Sequence, residues 1–306
     1  METNIVYQED CIEGMKKIPS NSIDLVLTDP PYNTTDCKWD KSIDLEKFWV
    51  EIKRIIKPNG AIIMTASQPF TTDLINSNRQ MFRYDLIWNK IKPSGFFNAN
   101  KMPMRSHEHI LVFYKKLPVF NPQKTMRAKK DLRPNRVKNS IKKPYQSSDV
   151  YVGKDIKFSS SYEEDKVNPK SIVDISNINN FSSKRIHPTQ KPIKLFEWLI
   201  KSYSNENQLV LDCFGGSGTT AIACIETNRK YILFENSPQY FKIINDRIQS
   251  AKSQTLLSQP SAEGSLIGIK RKPCEVSQIP NGTSLNSDIQ RLHPNFLAHS
   301  QVRRNL

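Results

Sequence analysis

Residues 27–33 read LTDPPYN. They follow an apolar run, Ile23-Asp24-Leu25-Val26-Leu27, which has the character of a buried strand. Proline donates no ladder hydrogen bond and cannot continue inside a sheet. The strand is therefore expected to close at Asp29, leaving a carboxylate, two prolines and an aromatic ring as a stiff shelf at its carboxyl end.

Strand and helix patterns alternate around this shelf. Residues 4–7, 23–28, 61–66, 83–88 and 109–114 read as strands. Leu45, Phe48, Trp49, Ile52, Ile55 and Ile56 have helical spacing and stop at a Pro58-Asn59-Gly60 turn, and residues 70–78 form a second helix. After a break, helices over 193–203, 219–227 and 238–249 alternate with strands over 209–212 and 231–234. Such alternation predicts an α/β domain: a doubly wound, largely parallel sheet covered by helices. The shelf half (residues 1–116) and the later half (184–251) are expected to share that sheet. Between them, residues 117–183 lose periodicity and gather lysines and arginines. Residues 252–306, rich in Ser, Gln, Asn and Pro, read as a disordered tail.

The 306 residues carry a net charge of +15. A basic surface of this kind suits a polyanion, most commonly nucleic acid. No run approaches the roughly 18 apolar residues of a membrane span, and the N-terminus METNIVYQEDC lacks an apolar signal core. The expected location is cytoplasmic. The five cysteines, Cys11, Cys37, Cys213, Cys224 and Cys274, form no CxxC pair and suggest no disulfide framework.

The second site signal is residues 209–220, LVLDCFGGSGTT. A strand ending in Asp212 leads through Cys213 and Phe214 to Gly215, Gly216, Ser217 and Gly218, and Thr219 and Thr220 open a helix. Glycines let the chain bend tightly and let a ligand approach the backbone. Helix amides beyond the turn favour a polar or negative ligand group. After the next strand, Glu235 is placed to accept ribose hydroxyls. The turn also fits the dinucleotide pattern G-x-G-x-x-G/A, whereas a phosphate-binding P-loop lacks its lysine. A nucleoside-carrying cofactor is favoured, and the turn alone leaves its identity open.

The shelf narrows the choice. An exocyclic amino group on a nucleobase is a poor nucleophile because its lone pair is delocalised into the ring. A carboxylate, Asp29, and a carbonyl, that of Pro30, can each accept one of its N–H bonds and free the lone pair. Proline holds that carbonyl in place beforehand. Tyr32 offers a stacking face, and a base in duplex DNA must be extruded to reach it.

Together these motifs resemble the amino-methylating DNA methyltransferases (N6-adenine/N4-cytosine), in the class whose DPPY motif precedes the glycine motif. Asp29, Pro30, Pro31 and Tyr32 with Asn33, and Phe214 to Thr220, carry the resemblance. So does His187-Pro188-Thr189-Gln190-Lys191-Pro192. The resemblance implies the Rossmann-like methyltransferase fold and S-adenosylmethionine as methyl donor. It implies Thr189 and Lys191 in the cofactor pocket, Asp10 at the adenine ring of the cofactor, and a DNA target-recognition role for residues 117–183. It also tilts the acceptor to adenine N6 over cytosine N4, since cytosine enzymes more often carry serine in place of Asp29. The expected partner is double-stranded DNA. A second copy of the chain and a cognate restriction endonuclease are further candidates.

Other readings compete. The glycine turn would equally serve a nicotinamide-dependent oxidoreductase, but the shelf has no role in hydride transfer. A catalytically silent DNA-binding protein would need neither motif. His107-Glu108-His109 suggests a metal, yet two histidines make an incomplete site and no metal is expected. Trp39 and Phe70 are candidates either for covering the pocket or for the core.

Overall fold

The computed structural model describes residues 1–33, 43–127, 165–178 and 190–258; side chains at 255–258 are excepted. Trp39, Thr189, most of the basic stretch and the tail beyond 258 lie outside the described residues.

In chain order the strands are β1 (Ile5–Tyr7), β2 (Ile23–Thr28), β3 (Ile56–Ala66), β4 (Phe82–Ser94), β5 (Arg105–Phe113), β6 (Thr125–Met126), β7 (Lys166–Val167), β8 (Ile172–Asp174), β9 (Leu209–Asp212) and β10 (Lys230–Phe234). The helices are α1 (Cys11–Lys16), α2 (Leu45–Ile55), α3 (Phe70–Ser77), α4 (Ile193–Tyr203), α5 (Thr219–Glu226) and α6 (Pro238–Ser258). Eight strands form one sheet in the order β1-β10-β9-β2-β3-β5-β4-β8. Within it β5 runs against both neighbours, and every other pairing is parallel.

Both faces of the sheet are covered, so its central strands are apolar on both sides. Leu25 and Leu27 of β2, Ala61 and Ile63 of β3, and Ile110 and Val112 of β5 face one core with α4, α5 and α6. Val26, Ile62, Met64, Leu111 and Phe113 face the other, with Met15 of α1, Phe48, Trp49 and Ile52 of α2, and Phe70 and Leu74 of α3. The α2 helix starts where Asp44 accepts the Lys47 amide at 3.1 Å. Its apolar stripe then packs as the spacing predicts.

The two halves meet at β2 and β9, whose registers are Leu25↔Val210 and Val26↔Leu211. Asp24 fixes the entry end of this pairing by accepting the Leu209 amide at 3.0 Å and Lys57 Nζ at 2.6 Å. At the exit end, Thr28 Oγ1 donates to Asp212 Oδ1 at 2.7 Å and accepts the Cys213 amide at 3.2 Å. The DPPY shelf and the glycine turn thus leave the sheet from adjacent parallel strands.

Four details differ from the sequence reading. Helix α1 was not expected; Asp10 caps it by accepting the Ile12 and Glu13 amides at 2.9 and 3.2 Å. Pro58-Asn59-Gly60 is not a connection but an irregularity inside β3, where the pairing jumps from Ile23↔Ile56 to Leu25↔Ala61. The β4–β5 hairpin extends well past its apolar portion, to Ser94 and Arg105. Finally, β8, from within the 117–183 stretch, joins the sheet beside β4. It is fastened by Trp88 Nε1 donating to Ile175 O at 2.8 Å and Asn89 Nδ2 to Asp174 Oδ1 at 2.7 Å.

Helix α1 approaches β10 through Gly14. A Cβ built there would collide with the buried Phe234 ring. Overpacking of this kind costs about 1–3 kcal/mol, more than alanine's gain in helix propensity of about 1 kcal/mol. Gly14→Ala is expected to lower the thermal unfolding temperature measured by calorimetry, and Phe234→Leu in the same chain to recover part of the loss.

Candidate active site

Beyond Thr28 the chain leaves the sheet through Asp29-Pro30-Pro31-Tyr32 and bends at Asn33, which adopts a left-handed φ of 54°. Asparagine tolerates that conformation better than most residues. Pro30 is buried, and Asp29 stands half-exposed at the strand end. Its Oδ1 accepts the Tyr32 hydroxyl at 2.7 Å and also the Thr65 hydroxyl from the end of β3. Its Oδ2 accepts Lys191 Nζ at 2.6 Å. The Tyr32 ring stacks on Phe70 with centroids 5.6 Å apart and planes at 23°. Phe70 is therefore the backing of that ring.

Lys191 is 6% exposed. Its ammonium lies 3.3 Å from Glu108 Oε2, and Lys90 Nζ lies 2.7 Å from Glu108 Oε1. Asp29, Lys191, Glu108 and Lys90 thus form a row of alternating charge from β2 to β4. Burial alone would lower the Lys191 pKa, but the charges of Asp29 and Glu108 raise it above its ordinary value. Burial works to raise Glu108, and Lys191 and Lys90 overcome it, so its pKa is lowered. The Tyr32 phenol is pushed up by burial and by the Asp29 charge.

The glycine turn sits beside this row. Gly215 N donates to Phe234 O and Gly218 N to Gly215 O, both at 2.7 Å, closing the turn. Gly218 has φ +76°, and a Cβ there would come within 2.9 Å of Ile244. Asp212 lies buried beneath, its Oδ1 accepting the Phe214 amide at 3.0 Å and its Oδ2 the Thr220 hydroxyl at 2.5 Å. Burial raises its pKa to about 7 despite these donors and that of Thr28. Ser217 and Thr219 hydroxyls are 3.1 Å apart, and Thr219 Oγ1 donates to the Lys191 carbonyl at 3.3 Å. Glu235 accepts the Gly216 amide at 2.7 Å through Oε2 and the Ser237 amide at 2.8 Å through Oε1. Its carboxylate is fixed at the exit of β10, and each oxygen keeps a lone pair for a hydroxyl.

The structure therefore brings together Asp29, Tyr32 and Lys191, and beside them Asp212, Phe214, Gly215, Gly216, Ser217, Gly218, Thr219, Thr220 and Glu235. Asp10 lies at the exit of β1, which pairs with β10, but its Oδ1 is engaged in capping α1. The Lys191 side chain pairs with the shelf acid while its carbonyl accepts from Thr219 at the glycine turn. Thr65, Glu108 and Lys90 were missed. Thr65 could have been found from parallel pairing with β2, because Thr28↔Met64 places it beside Asp29. Glu108 alternates with the histidines and faces the other way. His109 Nδ1 lies 3.1 Å from Asp85 Oδ2, and the two imidazole rings are 5.5 Å apart.

The sequence pattern of the DNA methylase family (N6_N4_Mtase) matches residues 23–246. The chain belongs to this family. It is 28% identical over 303 residues to the DNA adenine methyltransferase YhdJ of Escherichia coli (strain K12), covering 94% of this chain and 95% of that one. The M1.HpyAVI–SAM complex superposes with a TM-score of 0.52 at 25% identity, covering 79% of this chain and 98% of that one. The PvuII DNA methyltransferase, titled cytosine-N4-specific, shares the fold with a TM-score of 0.55 at 19% identity, over 85% and 94% of the two chains. The protein is thus a DNA methyltransferase with S-adenosylmethionine as cofactor. The observed turn suits that cofactor, with glycines at positive φ and a fixed carboxylate at the neighbouring strand exit. No described helix is long and apolar enough to cross a membrane.

Two outcomes are expected. Asp29→Asn and Lys191→Met, measured singly and together by urea unfolding, should be non-additive by about 0.5–3 kcal/mol, as contacting residues are; additive losses would mean that the ion pair carries no coupling. Asp212 should make the cofactor-free protein pH-sensitive. Its protonated form is favoured by folding, so its stabilising contribution is complete below its ordinary value of 3.8 and disappears as pH rises to about 7. The stability of the parent chain relative to Asp212→Asn should fall across that window and level off above it.

Proposed function

We propose that the protein transfers the methyl group to the exocyclic N6 of adenine in double-stranded DNA, with the target base turned out of the helix onto the DPPY shelf. The observation that carries this reading is Asp29 itself. It is a carboxylate, fixed by three donors, at the exit of the strand adjacent to the glycine turn. A carboxylate has about four acceptor positions, so one remains for an incoming N–H. The Pro30 carbonyl takes the other N–H, and Tyr32, backed by Phe70, presents its ring to the base. These contacts draw the amino nitrogen from planarity and direct its lone pair, so that orientation supplies much of the rate. S-adenosylmethionine, when bound, supplies a methyl group activated by the positive charge on sulfur. Phe214 to Thr220, Glu235, Asp10, Asp212 and Lys191 would hold it, and Thr189 belongs to the same proposal.

Cytosine N4 is the second reading, because its amino group offers the same two N–H donors. Adenine is favoured by aspartate at the first shelf position and by near full-length likeness to a relative named as an adenine methyltransferase. The net charge of +15 suits a phosphate backbone.

Incubation of unmethylated plasmid with protein and S-adenosylmethionine, followed by base-resolved detection of modified positions, tests the proposal. N6-methyladenine at a recurring sequence is expected, whereas N4-methylcytosine alone would replace the adenine reading with the second one. Asp29→Ala should reduce transfer by about a hundred- to a thousand-fold, the scale of losing a preorganised electrostatic contact, while binding of S-adenosylmethionine by calorimetry stays within about three-fold. Full turnover in that variant would remove the shelf from the mechanism.

A further inference from the structure

The β4–β5 hairpin ends in an apolar tip that the fold leaves bare. Phe97 is 99% exposed and Phe96 76%, and Ile91 and Met102 are also exposed. A soluble chain rarely leaves adjacent large aromatics bare without a use for them. The tip is nevertheless a formed turn. Ser94 pairs with Arg105 across its base. Gly95 enters at φ +93°, Phe96–Asn98 make one 3-10 turn, and Asn98 O accepts the Lys101 and Met102 amides at 2.9 and 3.0 Å. The two rings sit edge to face, 6.5 Å apart. From residue 90 to 107 the sequence has no Asp or Glu, and Lys92, Lys101 and Arg105 are exposed around the rings.

Topology aims this tip. β4 runs parallel to β2 and β3, so its carboxyl end rises from the same edge of the sheet as Asp29. Three strand spacings separate the two strands, about 14 Å sideways at about 4.8 Å each. The row Asp29–Lys191–Glu108–Lys90 spans that interval, and Lys90 Nζ reaches Ser94 Oγ at 3.4 Å at the foot of the tip. A polyanion whose base lies on the shelf would therefore meet the tip next.

We propose that the β4–β5 tip enters the duplex, Phe97 stacking with Phe96 beside it against the bases left unpartnered by the extruded nucleotide, while Lys92, Lys101 and Arg105 hold the flanking phosphates. The inference rests on the DNA reading above. Charge selects this occupant over an apolar protein surface: three cations and no acid around two aromatic rings match phosphates and base faces.

The test uses the full chain and a short duplex carrying the sequence located by plasmid mapping. The target nucleotide is either paired or opposite an abasic position, where no partner base needs to be left unpaired. Wild-type methylation of the paired duplex reports on the methyltransferase reading independently of the tip. Phe97→Ala removes nothing from the core and should leave S-adenosylmethionine binding unchanged. It should lower kcat/KM on the paired duplex about ten-fold or more, within the range for lost base stacking, yet stay within about two-fold of wild type on the abasic duplex. Phe97→Trp should recover the paired activity. Lys101→Ala should reduce the slope of log affinity against log salt by about one. Equal loss on both duplexes would make the tip an external or protein contact and overturn the proposal, as would undiminished activity of Phe97→Ala on the paired duplex.

Discussion

The parallel pairing of β2 with β9 is the constraint from which the site follows. The strands belong to segments far apart in the chain, with 184 positions between the partners of the Thr28–Asp212 hydrogen bond. Neither half holds a complete site alone. Once Leu25 and Val26 are in register with Val210 and Leu211, the prolines that end β2 and the glycines that follow β9 must leave the sheet side by side. In an open parallel sheet, that carboxyl edge is where strand dipoles, loop backbones and helix N-termini converge on a ligand. The Thr28 hydroxyl, donating to Asp212 and accepting from the Cys213 amide, is the closure of that seam.

The row of charges laid across the edge is harder to justify by stability. Burying the ionised Lys191, Glu108 and Lys90 carries a large desolvation cost, and an apolar replacement of similar shape is often at least as stable. Here each interior member touches two opposite charges, Lys191 between Asp29 and Glu108 and Glu108 between Lys191 and Lys90. What the row gains is position. The Asp29 carboxylate is held from one side by hydroxyls of Tyr32 and Thr65 and from the other by an ammonium, leaving little freedom to rotate. An acceptor fixed in this way meets an incoming N–H donor without first losing that freedom. Lys191 also connects the shelf to the glycine turn, since its carbonyl accepts from Thr219 at the start of α5.

Much of this was legible in the sequence because its signals were local. Prolines ended β2, glycines bent the chain after β9, and the apolar spacing of Phe48, Trp49, Ile52 and Ile55 specified α2. What escaped depended on long-range partners. A lone Glu108 between histidines has no sequence sign that Lys191 lies across from it. The Pro58-Asn59-Gly60 stretch carried a strong turn signal, but the pairing of β3 with β2 absorbed it as an irregularity. The short β8 has too few apolar residues to announce a strand. Hydrogen bonds from Trp88 and Asn89 to its neighbourhood hold it at the sheet edge.

The hairpin shows the same limit from the opposite side. Its inner ladder, Phe82 to Asn89 against His107 to Phe113, sends Leu86, Trp88, Ile110, Leu111, Val112 and Phe113 into the cores, and it was readable as strands because burial imposes apolar character. Its outer part has no core to face, so its residues are free of that constraint and their pattern conveys no fold. Freed residues on a protein surface ordinarily drift to polar types. Phe96 and Phe97 retain large apolar rings there, on a turn closed by its own backbone hydrogen bonds, where folding gains nothing from them. The proposed duplex contact would account for them, since the acid-free, lysine-bearing rim matches an anionic partner with flat apolar faces.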